Sequence, residues 1–167
     1  MSTIAAVTGT GSQDVQALLA AVVAEWRASG IKVAALLAES HDLPDRSCAA
    51  GFLREVGSGA AFPIYLETAP SHTSCHLDAA GVDAACAALL DRIPASDLVV
   101  LSKFGKLEAA GSGLVPAFEA AVAAGKPVLT SVSQKHRDAW QAFVPDAASL
   151  AADTESLERW RRSLAAG

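Results

Sequence analysis

Two lysines, a serine and a glutamate follow directly after an apolar segment near the middle of the chain. The segment, LVVL at 98–101, has the continuous hydrophobic character of a strand buried on both faces of a parallel sheet, and Ser102, Lys103, Lys106 and Glu108 come next. Ligands of open α/β sheets bind just beyond the carboxyl ends of the strands, where ammonium and hydroxyl groups can hold an anion directly. We therefore predict an anion site here. The alternative is that both lysines are solvated and Glu108 pairs with one of them, which would contribute only about 0–1 kcal/mol.

A glycine-rich turn near the start of the chain is the second candidate. Gly9, Gly11 and Ser12 separate a predicted strand from a predicted helix, and a helix N-terminus offers unpaired N–H groups to an anion. The turn lacks the lysine of the phosphate-binding GxxxxGK[ST] loop, and Asp14 stands where the GxGxxG pattern requires its third glycine. The alternative interpretation is a tight strand–helix turn with a serine cap.

Two polar loops supply a weaker set of ligand-binding candidates: Arg46, Cys48, Cys75 and His76. Thiolate and imidazole are metal ligands, but the spacing of these residues and of the neighbouring His41 and His72 matches no zinc signature, so we predict no metal site. Cys86 falls on the apolar stripe of a predicted helix and is expected in the core. No catalytic Ser–His–Asp set can be assembled from the sequence, so we predict no catalytic residue, and the pattern names no cofactor.

Composition and length limit the class of protein. The 167 residues suit a single α/β domain over 1–167, 51% of them are hydrophobic, and the formal net charge is −5. An acidic balance with scattered basic residues argues against nucleic-acid binding, and no segment approaches the roughly 18 apolar residues of a membrane span. The N-terminus lacks the features of a secretory signal, and three cysteines without a CxxC pair argue against a disulfide framework. We therefore expect a cytoplasmic protein.

Apolar strands alternate with amphipathic helices, which predicts a three-layer α/β fold with a mostly parallel sheet. The expected buried strands cover residues 3–7, 32–38, 98–101 and 127–132, and the expected helices cover 12–29, 78–93, 116–124, 134–144 and 154–164. Strand-like segments at 50–56 and 61–67 flank Gly57-Ser58-Gly59 and predict an antiparallel β-hairpin inserted at about 48–67. Ser133 is the expected cap of the fourth helix, and Trp140 and Phe143 are expected to face inward from it.

Taken together, these segments resemble a bacterial family of unknown function whose members are encoded beside molybdate-transport genes. The most specific part of the likeness is the motif LxKFGKxEAxGxG at 101–113. Other matching parts are the first strand and turn, the region around Cys48, GFLREVGSG at 51–59 and SCHLD at 74–78. The likeness covers nearly the whole chain, and it implies a role in molybdenum handling.

That family in turn looks like a degenerate relative of the small P-loop nucleoside-triphosphatases. In those enzymes a strand ends in two carboxylates and continues as Ile-Gly-x-Met-Glu. Here the segment 104–108 fits the tail, whereas Ser102 and Lys103 replace the two carboxylates, and the lysine of the phosphate loop is missing. The resemblance therefore implies a P-loop-like, nucleotide-binding type of fold, and the departures argue against hydrolysis.

Three hypotheses for function follow. The first is a non-hydrolytic binding protein for an oxyanion such as molybdate, or for a phosphorylated small ligand, with N–H donors from the glycine turn and positive charge from Lys103 and Lys106. The second is a weak nucleoside-triphosphatase with a rearranged site, in which Glu108 or Asp14 would position magnesium or water. The third is a ligand-free interaction module, in which Trp160 and the last helix would face a partner or a second copy of the chain.

Overall fold

The protein's structure is a computed structural model that describes residues 2–8, 12–40, 50–64 and 79–165. The strands are β1 (Ile4–Thr8), β2 (Val33–Ser40), β3 (Ala50–Glu55), β4 (Ala61–Pro63), β5 (Leu98–Leu101), β6 (Val128–Val132) and β7 (Ala148–Leu150). The helices are α1 (Ser12–Ala28), α2 (Ala79–Leu90), α3 (Lys106–Ala109), α4 (Val115–Ala123), α5 (Arg137–Phe143) and α6 (Thr154–Ala165), and a 3-10 turn, Gln134–His136, leads into α5. None of the helices in these described ranges is long and apolar enough to cross a membrane.

The seven described strands form one sheet in the order β4-β3-β2-β5-β6-β1-β7. The strands β2, β5, β6, β1 and β7 are parallel to one another, whereas β3 runs antiparallel to β2 and β4 runs antiparallel to β3. Every residue of β5 and β6 is buried, which suits their uninterrupted apolar or small sequences and explains their central place. The prediction of an α/β fold with a mostly parallel sheet is confirmed.

Helices cover both faces of this sheet and so make three layers. On one face α2, α4 and α5 bury Leu89, Phe118 and Trp140 against the strands. On the opposite face α1 and α6 bury the indole rings of Trp26 and Trp160. Because successive strand residues point to alternate faces, the strands β1, β2, β5 and β6 contribute to both cores. Cys86 lies in the first core, as the apolar stripe of its helix predicts.

The last helix, α6, is fixed to α1 and to the start of the chain. Trp160 is 1% exposed and donates its indole N–H to the carbonyl of Ser2 at 3.0 Å. Trp26 donates its indole N–H to Glu158 at 2.7 Å, and Arg161 pairs with the same carboxylate. The hypothesis that Trp160 faces a partner is therefore wrong, because the ring is buried within its own chain. Association with a second copy of the chain stays a prediction.

The predicted hairpin is confirmed over its described part, and it extends the sheet. β3 pairs antiparallel with β4, and β3 also pairs antiparallel with the long strand β2. The helix α2 approaches this hairpin closely at Gly81, where a Cβ atom would lie 1.8 Å from the carbonyl oxygen of Pro63. The hairpin is thus packed under α2 as part of the scaffold.

Some local predictions are wrong for identifiable reasons. The polar segment after α5 contains β7, a short edge strand paired with β1 that has no hydrophobic periodicity to indicate it. Ser133 makes no side-chain cap, since its hydroxyl is bonded to Nδ1 of His136 at 3.1 Å. Phe143 is 37% exposed, although its ring packs on Phe104 at 5.4 Å between centroids. The helix α2 ends at Leu90, one turn earlier than predicted.

Candidate functional site

The direction of the chain connections places a crevice at the carboxyl ends of β1 and β6. These strands are neighbours, and Thr8 at the end of β1 pairs with Val132 at the end of β6. After β1 the chain passes to α1 on one face of the sheet, whereas after β6 it passes to α5 on the other. Adjacent strands whose connections leave toward opposite faces open a crevice, and ligands of open α/β sheets bind there. We call this end of the sheet the carboxyl edge.

Basic side chains from two different loops meet at the carboxyl edge. Lys103 follows β5, and Lys135 and His136 follow β6. Partial burial, and then the positive charges of Lys103 and Lys135, hold the pKa of the His136 imidazole below its ordinary value. The charge on the β5 loop therefore acts on a side chain of the β6 loop. The result is a positive region that disfavours the charged form of the imidazole.

The backbone at Lys103 is held rigidly on both sides. Ser102 is 4% exposed and Phe104 is 1% exposed, and the N–H of Phe104 donates to the carbonyl of Ser131 at 2.8 Å. The lysine side chain lies across Gly105, where a Cβ atom would come within 2.7 Å of the lysine Cε. Gly105 therefore leaves the space that the exposed side chain of Lys103 occupies.

A hydrogen-bond cluster ties α1 to the ends of β5 and β6. The side-chain amide of Gln16 donates to the Ser102 carbonyl at 2.9 Å and to the Ser131 hydroxyl at 3.3 Å. The Ser131 hydroxyl donates to the same Ser102 carbonyl at 2.6 Å. The carbonyl of Ser102 is thus the common acceptor that holds the first turns of α1 against the carboxyl edge.

The carboxylate of Glu108 is buried and bonded to backbone. One oxygen accepts the N–H of Gly105 and the other accepts the N–H of Leu114, both at 2.8 Å. Within the described part of the chain it forms no ion pair with a lysine, so the alternative of a Glu108–lysine pair is wrong there. Its predicted ligand-binding role stays a prediction, and its bonds give it a structural role that the sequence pattern does not show. Lys106 is exposed at the first position of α3.

The remaining predicted site residues lie outside what the structure describes: Gly9, Gly11, Arg46, Cys48, Cys75 and His76, together with His41 and His72. Ser12 is the first residue of α1, and its side chain also lies outside the description. Their roles stay predictions. Among the residues that are described, no group of three or more His, Cys, Asp or Glu side chains is arranged to hold a metal ion.

Comparison with known proteins places the chain in a family. Residues 4–160 match the profile of the family described as "Protein of unknown function (DUF2478)". The chain belongs to the DUF2478 family. The matched range includes α1, both strand ends and the basic loops of the carboxyl edge.

A curated relative adds a second similarity. The molybdenum import ATP-binding protein ModC 2 of Bradyrhizobium diazoefficiens is 31% identical over 163 residues, which cover 95% of this chain and 18% of that protein. The chain therefore spans less than a fifth of the relative's length, and the relative's name describes that whole protein. No solved structure matches the chain.

No sequence motif singles out Gln16, Ser131, Lys135 or His136 in this DUF2478 member. The segment SQKHR at 133–137 follows the buried strand β6, just as Ser102 and Lys103 follow β5, so its position is equally suited to binding a ligand. Helical periodicity predicts a helix for that segment, and a helical pattern gives no sign that its basic residues face a ligand. Gln16 has no sequence signal at all, because its partners lie on strands that are distant in the chain.

The opposite, amino edge of the sheet holds a cleft of about 320 Å³, lined in part by Lys32, Glu55 and Arg92. Two of the charged side chains here, Glu55 and Arg92, are paired with each other. Glu55 is 1% exposed and pairs with Arg92 at 3.0 Å, and it also accepts the N–H groups of Gly57 and Ser58. We therefore assign Glu55 and Arg92 to the stability of the hairpin.

Proposed function

We propose that this DUF2478 protein binds an oxyanion or a phosphorylated small ligand at the carboxyl edge and does not hydrolyse it. The observation that carries the proposal is the meeting of Lys103 with Lys135 and His136 at the crevice. Two loops bring positive charge to one place, while the carboxylate of the Lys103 loop, Glu108, is bonded to backbone N–H groups. Such a region attracts an anion and has hydrogen-bond donors to hold it.

The expected strength of binding follows from the donor groups. A hydrogen bond to a charged group contributes about 1.5–3 kcal/mol, so three or four of them would give roughly micromolar affinity after the costs of association. Lys106 and the N–H groups of the turn at Gly9, Gly11 and Ser12 would complete the donor set. Arg46, Cys48, Cys75 and His76 are proposed as secondary contacts.

The chemistry of the β5 end supports binding without hydrolysis. Phosphoryl transfer to water needs a carboxylate at such a strand end to organise magnesium. Here Ser102 and Lys103 occupy the strand end, and each oxygen of Glu108 already accepts a backbone N–H. A magnesium ion at Glu108 would compete with those bonds and would lie near an ammonium group.

A P-loop-like fold and a link to molybdenum are part of the proposal. They are supported by the unit of β1, glycine turn and α1 in a mostly parallel sheet, and by the 31% identity to a segment of a molybdenum import ATP-binding protein. Molybdate and nucleotides are therefore the first ligands to test beside phosphate and sulfate.

Isothermal titration calorimetry of metal-free protein with molybdate, tungstate, sulfate and phosphate tests the proposal. We expect heat of binding with at least one anion, and a loss of about 10- to 100-fold in affinity in Lys103→Ala, since one charge-assisted hydrogen bond is removed. Lys126→Ala is the matched control, because Lys126 precedes β6 at the opposite end of the sheet. No heat with any of these anions would refute oxyanion binding.

The alternative is a weak nucleoside-triphosphatase, which the name of the relative favours. In that case Glu108 or Asp14 would position magnesium or water. A phosphate-release assay with the four nucleoside triphosphates distinguishes the two functions. Turnover that is lost in both Lys103→Ala and Glu108→Ala would support the enzyme, whereas a rate equal to the buffer control supports a binding protein.

A further inference from the structure

The side chain of Gln16 has one polar atom that the fold leaves unpaired. Its amide nitrogen donates to the Ser102 carbonyl at 2.9 Å and to the Ser131 hydroxyl at 3.3 Å. These partners fix which way the amide is turned, because a carbonyl cannot donate and the Ser131 hydroxyl already gives its proton to that carbonyl. The Gln16 Oε1 atom is therefore turned away from both partners. It is buried, and no donor within the described residues hydrogen-bonds to it.

An unpaired buried acceptor is costly and chemically selective. Leaving such an atom without a donor costs about 1–3 kcal/mol, and only a group that carries an N–H or O–H recovers that energy. A negatively charged oxygen without a proton would instead place its lone pairs against the carbonyl oxygen. Whatever completes the contacts of Gln16 must therefore bring a donor.

The unpaired atom lies at the same edge of the sheet as the basic side chains. Gln16 is in the second turn of α1, shortly after the glycine turn, and its partner Ser102 immediately precedes Lys103. Its other partner, Ser131, lies at the end of β6, a few residues before Lys135 and His136. The groups that attract negative charge and the group that requires a donor thus flank the same two strand ends.

We propose that Gln16 selects, among oxyanions, one that carries a proton. This inference rests on the proposed function and narrows it. The basic side chains hold the charged oxygens of the ligand, and the ligand's remaining O–H donates to Gln16 Oε1. Hydrogen phosphate is the simplest ligand of this class at neutral pH. Sulfate and molybdate have a similar tetrahedral shape but carry no proton there, so they are disfavoured.

Calorimetry at neutral pH with inorganic phosphate, sulfate and molybdate tests the selection. We expect the wild-type chain to bind phosphate about 10- to 100-fold more tightly than sulfate or molybdate, the value of one hydrogen bond to a charged group. In Gln16→Met, which keeps the length of the side chain and removes the acceptor, phosphate affinity should fall by that factor while sulfate affinity stays unchanged. Gln141→Met makes the same chemical change at an exposed position of α5 and should keep the wild-type preference.

The outcomes separate this inference from the proposed function. Equal affinities for phosphate and sulfate, or a preference for sulfate or molybdate, would overturn the inference and leave oxyanion binding in place. A preference that survives in folded Gln16→Met would also overturn it, since another residue would be responsible. Absence of binding to any of the anions refutes the proposed function, and this inference with it. The comparison of anions in the wild-type chain needs no variant, so it decides the matter even if Gln16→Met does not fold.

Discussion

The two edges of the sheet carry similar polar residues but pair them differently. At the amino edge, Glu55 accepts two backbone N–H groups and pairs with Arg92, so its hydrogen-bonding capacity is used within the chain. At the carboxyl edge, Lys103 forms no ion pair within the described ranges, and the Oε1 atom of Gln16 has no donor there. A polar group whose bonds are complete stabilises the fold, whereas a group with capacity left over is available to a ligand. For this reason we propose the carboxyl edge as the ligand site, although the amino edge has a cleft.

The largest expected effect tests the amino edge. Burial raises the pKa of Glu55, but the bonds from Ser58 and Gly57 and the charge of Arg92 more than offset this and lower it overall. Glu55→Ala removes a buried carboxylate and leaves the N–H groups of Gly57 and Ser58 and the charge of Arg92 without their acceptor. We therefore expect the free energy of unfolding to fall by about 2–3 kcal/mol with no change in anion affinity. Urea denaturation and calorimetry measure the two quantities.

The exposed Glu119→Ala on α4 is the control for Glu55→Ala, and its stability should match wild type within about 0.5 kcal/mol. If folded Glu55→Ala lost anion binding, the assignment of a purely structural role to the amino edge would be wrong, because that edge would then contribute to the site.

A smaller effect is expected from a glycine that shapes the lysine loop. Gly113 has φ +65°, and a Cβ atom there would lie 2.0 Å from Oε2 of Glu108. Gly113→Ala should therefore displace the Glu108 carboxylate, lower the free energy of unfolding by about 2 kcal/mol and weaken anion binding. Gly111→Ala is the matched control, since its φ is +87° with nothing within 4 Å, and it should cost only about 1 kcal/mol of backbone strain. Equal effects of the two substitutions on stability and binding would show that contact with Glu108 does not matter.

The pairing of charges can also be tested away from both edges, at α6. The hydrogen bond from Arg161, aided by that from Trp26, lowers the pKa of Glu158 from 4.5 to about 2. Because the folded-state pKa is below the unfolded value, this carboxylate stabilises the fold above pH 4.5, and the contribution is lost as the pH falls toward 2. We expect urea denaturation near pH 3 to show a loss of about 1–2 kcal/mol relative to neutral pH, allowing for partial exposure. The loss should shrink in Glu158→Gln and persist in Glu155→Gln, whose ion pair is exposed.

The smallest expected effect concerns His136. Burial and the charges of Lys103 and Lys135 lower its pKa, so the unliganded fold loses stability on acidification as the unfolded chain takes up the proton first. A bound anion would favour the protonated imidazole of His136. Sulfate affinity should therefore rise by up to about tenfold as the pH falls below the ordinary histidine pKa. His136→Asn should bind sulfate without this pH dependence. A wild-type affinity that is constant across this pH range would show that His136 does not face the ligand.

Much of the fold could be predicted from the sequence, and the site only in part. β5 and β6 are short apolar segments, and α1 repeats its apolar residues every three or four positions, so local pattern is enough to identify them. Lys103 could be found because it directly follows a buried strand. The partners of Glu108 and the role of His136 could not, since a helical or turn-forming segment gives no sign of which atoms it will meet.

The sequence by itself determined most of the segments that become strands and helices, and that a polar, lysine-bearing loop follows the central strand, because both depend on residues close together in the chain. Only the tertiary structure decided which polar groups are left unpaired. The order of the strands and the faces taken by the helices bring Glu55 to Arg92, Trp26 to Glu158 and Gln16 to Ser102. These contacts join distant residues, and hydrophobic periodicity carries no information about them.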